Sequence, residues 1–111
     1  MKKTIIVSSE FLGRGDDELG RMLMGSFLRK LCMADNLPKE IIFYNAGVKL
    51  LAEGSPVLDA IEMLSQKGIN ITACGTCVNY YNLTKLIDPV QVGDMAGIVT
   101  ELMDSNCVVT V

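Results

Sequence analysis

The stretch INITACGTCVNYY, residues 69–81, joins an apolar strand to two cysteines and a helical segment. Residues 69–73 are predicted to form a buried strand, because β-branched side chains favour extended backbone. Two residues separate the cysteines that follow, Cys74 and Cys77, and a short helix is expected after them. A strand that leads through a short loop into a helix is typical of the repeating unit of a parallel sheet.

The rest of the chain repeats this alternation of short apolar strands and helices. Further strands are predicted at 4–7, 40–44, 90–92 and 107–111. Longer helices are predicted at 16–34, 55–68 and 94–103, a short helix or irregular segment at 48–53, and a turn at 83–87. Because helices separate the strands, the sheet is expected to be mostly parallel and covered on both faces. The predicted fold class is therefore α/β with five strands.

The first long helix carries two sets of apolar residues. The set that follows helical spacing consists of Leu19, Met22, Leu23, Phe27, Leu31 and Ala34. A second set lies off that stripe, at Met24, Leu28 and Cys32. Both faces of this helix are therefore expected to be covered.

Length and composition limit the class of protein. The chain has 111 residues, half of them hydrophobic, which predicts one ordered domain over residues 1–111. A mean hydropathy of +0.35 indicates an apolar face that self-association covers. The formal net charge of −3 offers no basic surface for nucleic acid. No apolar run approaches the roughly 18 residues of a membrane helix, so a cytoplasmic protein whose cysteines are thiols is expected.

Histidine is absent from the sequence. Its absence excludes a Ser-His-Asp triad, a Cys-His pair and zinc held by histidine. A second C-x-x-C pair is absent as well, which disfavours a zinc ribbon. We therefore predict no metal and no cofactor, and thiol chemistry becomes the leading candidate.

The cysteine pair falls where ligands of a parallel sheet gather, at the carboxyl ends of the strands. The helix that follows the pair has its positive dipole end there, which would lower the thiol pKa and favour the nucleophilic thiolate. The plainer alternative is a pair of small buried residues without a role. The other two cysteines, Cys32 and Cys107, lie on apolar elements and are predicted to be core residues.

Polar residues in the neighbouring loops complete the candidate site. The residues predicted to line it are Arg14, Asp16, Asp17, Asn45, Gly47, Lys49, Gly75, Thr76 and Tyr80. Most have a plainer interpretation too. Asp16 and Asp17 also fit a helix start that the acids cap and whose dipole they complement. Lys49 is either a solvated lysine or a cation that stabilises a thiolate or persulfide.

Three segments resemble the DsrE/DsrF-like family. They are SSEFLGRGDDELGRMLM at 8–24, LPKEIIFYNAGVKLL at 37–51 and ACGTCVNYYNL at 73–83. The nearest resemblance is to the DsrE-like domain of YedF-type proteins, which are sulfurtransferase-like and linked to selenium metabolism. The resemblance covers nearly the whole chain. It implies a three-layer α/β/α domain, a five-stranded parallel sheet and homo-oligomers.

The resemblance also implies a role for the cysteines. Relatives carry sulfur as a persulfide on a cysteine after the third or a neighbouring strand. By its spacing to the helix that follows, that cysteine resembles Cys74, with Cys77 as an additional thiol. Cys74→Ser is then expected to abolish loading, and Cys77→Ser only to alter release. YedF-type proteins usually carry an N-terminal TusA/SirA-like domain, so a separate TusA/SirA-like carrier is expected to act in trans. Asn82 stands where a glycine is expected and tolerates the left-handed backbone of a helix end.

Three functions remain open at this point. The first is a sulfur or selenium relay, as a sulfurtransferase-like enzyme or a stoichiometric carrier, loaded by a persulfide donor. The second is a thiol–disulfide redox protein that uses Cys74 and Cys77. The third is a non-catalytic interaction subunit in which the cysteines are incidental.

Overall fold

Five short parallel strands form one sheet in the computed structural model, which describes residues 1–111. The strands are β1 (Lys3–Val7), β2 (Glu40–Phe43), β3 (Asn70–Cys74), β4 (Val90–Gly93) and β5 (Cys107–Thr110). They pair in the order β4-β3-β2-β1-β5, and every pair is parallel. The predicted α/β class is confirmed, and the sheet is entirely rather than mostly parallel. The carboxyl ends of β2 and β3 are neighbours, which brings the loops after them together.

Four α-helices and one 3₁₀ helix connect the strands. The elements are α1 (Asp17–Leu31), a 3₁₀ helix (Asn45–Leu51), α2 (Leu58–Gln66), α3 (Gly75–Tyr80) and α4 (Met95–Asp104). No helix of the chain is both long enough and apolar enough to cross a bilayer.

Side-chain caps begin two of these helices. Asp16 Oδ1 accepts from the amide of Leu19, and Asp94 Oδ1 accepts from that of Gly97, each at 2.8 Å. Two predictions made from the sequence are wrong in detail. Helix α2 starts at Leu58 rather than beside Ser55, whose hydroxyl accepts from the Val57 amide before the helix begins. Residues 83–87 form no simple turn, because Leu86 makes an antiparallel bridge with Ala52.

One face of the sheet holds the larger core. Helices α1 and α2 and the 3₁₀ helix pack there on alternate strand residues such as Ile41, Phe43 and Ile71. The buried side of α1 is the set Met24, Leu28 and Cys32. The stripe predicted for this helix is largely outside the core, since Leu19, Met22 and Leu23 are 52%, 65% and 41% exposed. Only Phe27 and Leu31 of that stripe are half-buried and pack against the core.

The opposite face of the sheet is covered by α4. Ile98 of α4 packs on Ile42 and Cys74 to form a second, smaller apolar cluster. Edge strand β5 is exposed along its whole length. The prediction that Cys107 is a core residue is therefore wrong, because this cysteine lies on the uncovered edge strand. Cys32 is buried, as predicted.

A polar cluster lies beside the apolar cluster under α4. Glu40 at the start of β2 is only 5% exposed, and its Oε2 atom has no hydrogen-bond partner. Lys2 forms an ion pair with Glu101 of α4, which lies close to Glu40. Burial raises the pKa of the Glu40 carboxyl, and the neighbouring Glu101 charge raises it further, while Lys2 opposes the shift. Burial and the Glu101 carboxylate therefore both favour the protonated form of Glu40.

Candidate thiol site

The two cysteines of the C-x-x-C pair occupy unlike positions. Cys74 is the last residue of β3 and is 1% exposed, since its side chain faces Ile42 and Ile98. Cys77 lies in the first turn of α3 and is half-buried. Both are free thiols, and Cys77 packs against the apolar cluster that contains Cys74. The pair therefore combines one enclosed thiol with one that reaches the surface.

Close backbone packing brings the loop after β2 to this pair. Gly47 in the 3₁₀ helix lies against the end of β1, and a Cβ atom there would stand 2.2 Å from the carbonyl oxygen of Val7. Only glycine permits this approach. The amide of Asn45, at the start of the same helix, donates to Cys77 Sγ over 3.0 Å. The loop after β2 thus supplies a hydrogen-bond donor to the thiol that follows β3.

Tyr81 connects the loop after β2 to the end of α3. Its hydroxyl donates to Asn45 Oδ1 over 3.0 Å, and the Lys49 ammonium lies 4.4 Å from the centre of its ring. The Tyr80 ring packs edge-on against Tyr81, with ring centres 5.2 Å apart, and is itself largely exposed. Tyr80 was the tyrosine predicted to line the site, and the structure adds Tyr81, whose hydroxyl makes the hydrogen bond to Asn45. The signal was present in the spacing, because residues four apart share one face of a helix.

An open cavity of about 390 Å³ lies beside the Cys77 sulfur. Its lining residues are Asn45, Thr76, Cys77, Tyr80 and Tyr81. No Asp, Glu, Lys or Arg side chain is among them. The cavity is open to solvent at the carboxyl edge of the sheet, so a small thiol or the end of a peptide has room to reach Cys77.

The remaining predicted site residues fall into two groups. Gly75 and Gly47 are close-packed backbone positions, with Gly75 against the carbonyl oxygen of Gly93. Lys49 acts on the site through the Tyr81 ring. By contrast, none of Arg14, Asp16 and Asp17 lines the cavity. These three residues are exposed, and Asp16 serves as the α1 cap, which matches their plainer interpretation.

The electrostatics of Cys77 correct one expectation. A helix N-terminus was expected to lower the thiol pKa, but burial raises the pKa of Cys77 above its ordinary value. The hydrogen bond from the Asn45 amide works in the opposite direction, and the neighbouring Cys74 thiol adds to the increase. The effect of burial on the Cys77 pKa is larger than the effect of the Asn45 amide. A buried thiolate loses its hydration, and one hydrogen bond from an amide replaces that hydration only in part. The thiol form of Cys77 therefore predominates at neutral pH.

Few side chains that could bind a metal ion lie near the two thiols. No group of three or more Cys, Asp or Glu side chains lies close enough together to hold a metal ion, and the chain has no histidine. The site is defined by two thiols, one amide donor and two tyrosines.

A parallel α/β fold with a thiol pair at the carboxyl edge of its sheet defines a class of small dithiol proteins. Within that class, the chain belongs to the DsrE/DsrF-like family, whose sequence pattern it matches over residues 1–111. This family is in general associated with sulfur relay. No curated protein sequence matches the chain.

Solved structures share the fold across the whole chain. The YchN protein from E. coli is 18% identical with a TM-score of 0.72, and each chain is covered to 100%. MTH1491 from Methanobacterium thermoautotrophicum, a protein of unknown function, is 19% identical with a TM-score of 0.73 and the same full coverage. BT1422 from Bacteroides thetaiotaomicron is 21% identical with a TM-score of 0.65, over 99% of this chain and 95% of that one. At these identities the likeness concerns the fold alone.

Proposed function

We propose that this chain is a sulfur-relay protein that accepts a sulfane sulfur on Cys77 from a persulfide donor. The observation that supports it is the half-buried Cys77 sulfur beside an open cavity, with the free thiol of Cys74 in the apolar cluster against which Cys77 packs. The family resemblance pointed to Cys74 as the acceptor. The enclosure of Cys74 behind Ile98 favours Cys77 instead, because an external donor needs access to the attacking sulfur.

The reaction is a displacement at sulfur. The Cys77 thiolate attacks the terminal sulfur of a donor R–S–SH, the S–S bond of the donor breaks, and R–S⁻ leaves with the bonding electron pair. The product is Cys77–S–SH, and the released thiolate takes a proton from solvent. Neither a metal nor a histidine takes part. A donor of the form R–S–SeH would follow the same displacement, with its S–Se bond breaking, R–S⁻ leaving and Cys77–S–SeH as the product.

Cys74 provides the second step. Its thiolate attacks the Cys77 sulfur that is bound to the terminal SH, a Cys74–Cys77 disulfide forms, and HS⁻ leaves. When an acceptor thiolate attacks the terminal sulfur first, the sulfur is passed on and Cys77 returns to the thiolate. The sulfur is passed on when the acceptor reaches the persulfide before Cys74 attacks it. A reductant or external dithiol is required to reopen the disulfide.

A thiol–disulfide redox function is the alternative for the same pair. Oxidoreductases of the thioredoxin type use an exposed cysteine whose pKa is lowered. In this chain burial raises the pKa of Cys77, the more exposed of the two thiols. A raised pKa slows attack by Cys77 in both reactions, so the two functions are distinguished by the product, a persulfide on Cys77 or a Cys74–Cys77 disulfide.

Mass spectrometry of the intact protein tests the proposal. After incubation with glutathione persulfide, we expect one added sulfur that a reductant removes, localised by peptide fragmentation to Cys77. Exposed Cys107 is the internal control, because it is an accessible thiol outside the cavity. Loading of Cys107 alone, or formation of a disulfide without any persulfide, would contradict the relay. Absence of both changes would favour an interaction subunit.

We also propose that the partner of this chain is a further copy of itself. Leu19, Met22 and Leu23 of α1 form an exposed apolar stripe that the monomer does not cover. Light scattering is expected to give a multiple of the 12.1 kDa chain mass. Met22→Glu should return the protein to the monomer, whereas Lys67→Glu, an exposed change on another surface, should not. A wild-type mass of one chain would exclude self-association.

The remaining partners are proposals from the resemblance. A TusA/SirA-like carrier in trans would present its persulfide to the open cavity, whose neutral lining imposes no charge requirement on the donor. A selenium-linked role of the YedF type and a cytoplasmic location are proposed on the same basis. The four free thiols are consistent with a reducing compartment.

A further inference from the structure

A series of three contacts leads from Lys49 to the sulfur of Cys77. The Lys49 ammonium lies 4.4 Å from the centre of the Tyr81 ring, and the Tyr81 hydroxyl donates to Asn45 Oδ1 over 3.0 Å. The Asn45 amide then donates to Cys77 Sγ, also over 3.0 Å. Each contact orients the group that makes the next one. Cys77 Sγ is thus connected to Lys49 and Tyr81, two side chains that take no part in the sulfur transfer itself.

Asn45 holds an uncommon backbone conformation at this point. Its φ is +50°, in the left-handed region that residues other than glycine rarely adopt. Such a conformation persists when the surroundings hold it in place. Gly47 fixes the following turn against Val7, and the Tyr81 hydroxyl holds the Asn45 side chain. The direction of the amide is therefore set by contacts on two sides.

Resting on the proposed function, we propose that Asn45 is the positioning residue of the accepting thiol, with its amide stabilising the Cys77 thiolate during attack and Tyr81 keeping that amide aligned. A hydrogen bond strengthens when its acceptor becomes an anion, so the amide favours the reactive form over the resting thiol. The other titratable groups near the sulfur are Cys74, Tyr80 and Lys49, and Lys49 acts through the Tyr81 ring. The amide is the group that directly contacts the sulfur from the loop after β2.

Two tyrosines in the same cavity provide a matched pair of variants. Tyr81→Phe removes the hydroxyl that holds Asn45, and Tyr80→Phe removes one from a neighbouring exposed ring. The measurement is the rate of Cys77 alkylation by iodoacetamide across pH, followed on the peptide that carries Cys77. For Tyr81→Phe we expect the midpoint to rise by about half a pH unit, and the rate near neutral pH to fall roughly threefold. Tyr80→Phe should shift both by clearly less, because the hydroxyl that donates to Asn45 Oδ1 belongs to Tyr81.

A second variant separates positioning from folding. Asn45→Gly keeps the backbone amide and suits a positive φ, but it removes the oxygen that accepts from Tyr81. Asn45→Gly and the double variant that combines it with Tyr81→Phe should each shift the alkylation profile as far as Tyr81→Phe alone does. All three variants lose the hydrogen bond between the Tyr81 hydroxyl and Asn45 Oδ1. An unchanged profile in Tyr81→Phe, an equal shift in Tyr80→Phe, or additive shifts in the double variant would overturn the proposal.

The alkylation profile needs no sulfur donor, so its outcome is independent of sulfur loading. A shift in Tyr81→Phe, together with no persulfide on the wild-type protein, would overturn the relay and retain the positioning role. Normal persulfide loading of the wild-type protein, without a shift of the alkylation profile in Tyr81→Phe, would retain the relay and overturn the positioning role.

Discussion

Replacement of Cys77 by serine is expected to abolish persulfide formation on this protein. A serine hydroxyl at neutral pH is not ionised and does not displace a thiolate from sulfur, so the cavity is left without a nucleophile. Cys74 does not substitute for it, because this thiol is enclosed between the sheet and α4. We expect the reductant-sensitive mass gain to fall by at least about tenfold, as the loss of the reactive group in a transfer site predicts.

Cys74→Ser is the matched control and gives the opposite result. This variant should still load one sulfur on Cys77, and the persulfide should last longer because no neighbouring thiolate displaces HS⁻. The assignment made from the resemblance predicts the reverse order, with loading lost in Cys74→Ser and kept in Cys77→Ser. Loading that survives in Cys77→Ser and disappears in Cys74→Ser would therefore return the accepting role to Cys74.

The architecture was predictable because each strand and helix carries a local signal. The five apolar strands, the caps at Asp16 and Asp94 and the all-helical crossovers follow from periodicity and capping chemistry. Asn82 adopts a φ of +55° after α3, as expected of asparagine in place of glycine. The position of each element in the sheet is not a local property. Cys107 is exposed because β5 lies at the edge of the sheet. The sequence of a strand does not indicate whether that strand is central or at an edge.

The candidate site was predictable in outline for a related reason. Parallel strands bring the loops after β2 and β3 together, so Asn45, Thr76 and Cys77 were expected to be neighbours and are. The loop after β1 begins at the same edge, yet Arg14 and Asp17 do not reach the cavity. The relative burial of Cys74 and Cys77 depends on how α4 packs on the sheet. The packing of α4 on the sheet decides which thiol an external donor can reach, and no local sequence pattern predicts that packing.

Glu40→Gln is expected to stabilise the protein and to reduce the dependence of its stability on pH. The pKa of Glu40 is raised in the folded state, so its contribution to stability is present below its unfolded pKa and is lost as pH rises through the folded pKa. Gln is neutral at every pH and can donate to the Glu101 carboxylate. Above about pH 7 we expect a gain of roughly 1 kcal/mol, which corresponds to a rise in Tm of about 4–8 °C.

Thermal unfolding of both proteins from about pH 3 to about pH 8 measures this effect, since that range begins below the ordinary pKa of a glutamate, about 4.3. The difference in Tm should be smallest below the ordinary glutamate pKa, where the carboxyl is protonated in the unfolded state as well, and should grow as the pH rises. Glu101→Gln is the informative partner variant, because it removes the carboxylate that raises the Glu40 pKa and leaves Lys2 to pair with Glu40. A loss of stability in Glu40→Gln at every pH would show instead that an ionised Glu40 already pairs with Lys2 in the folded protein.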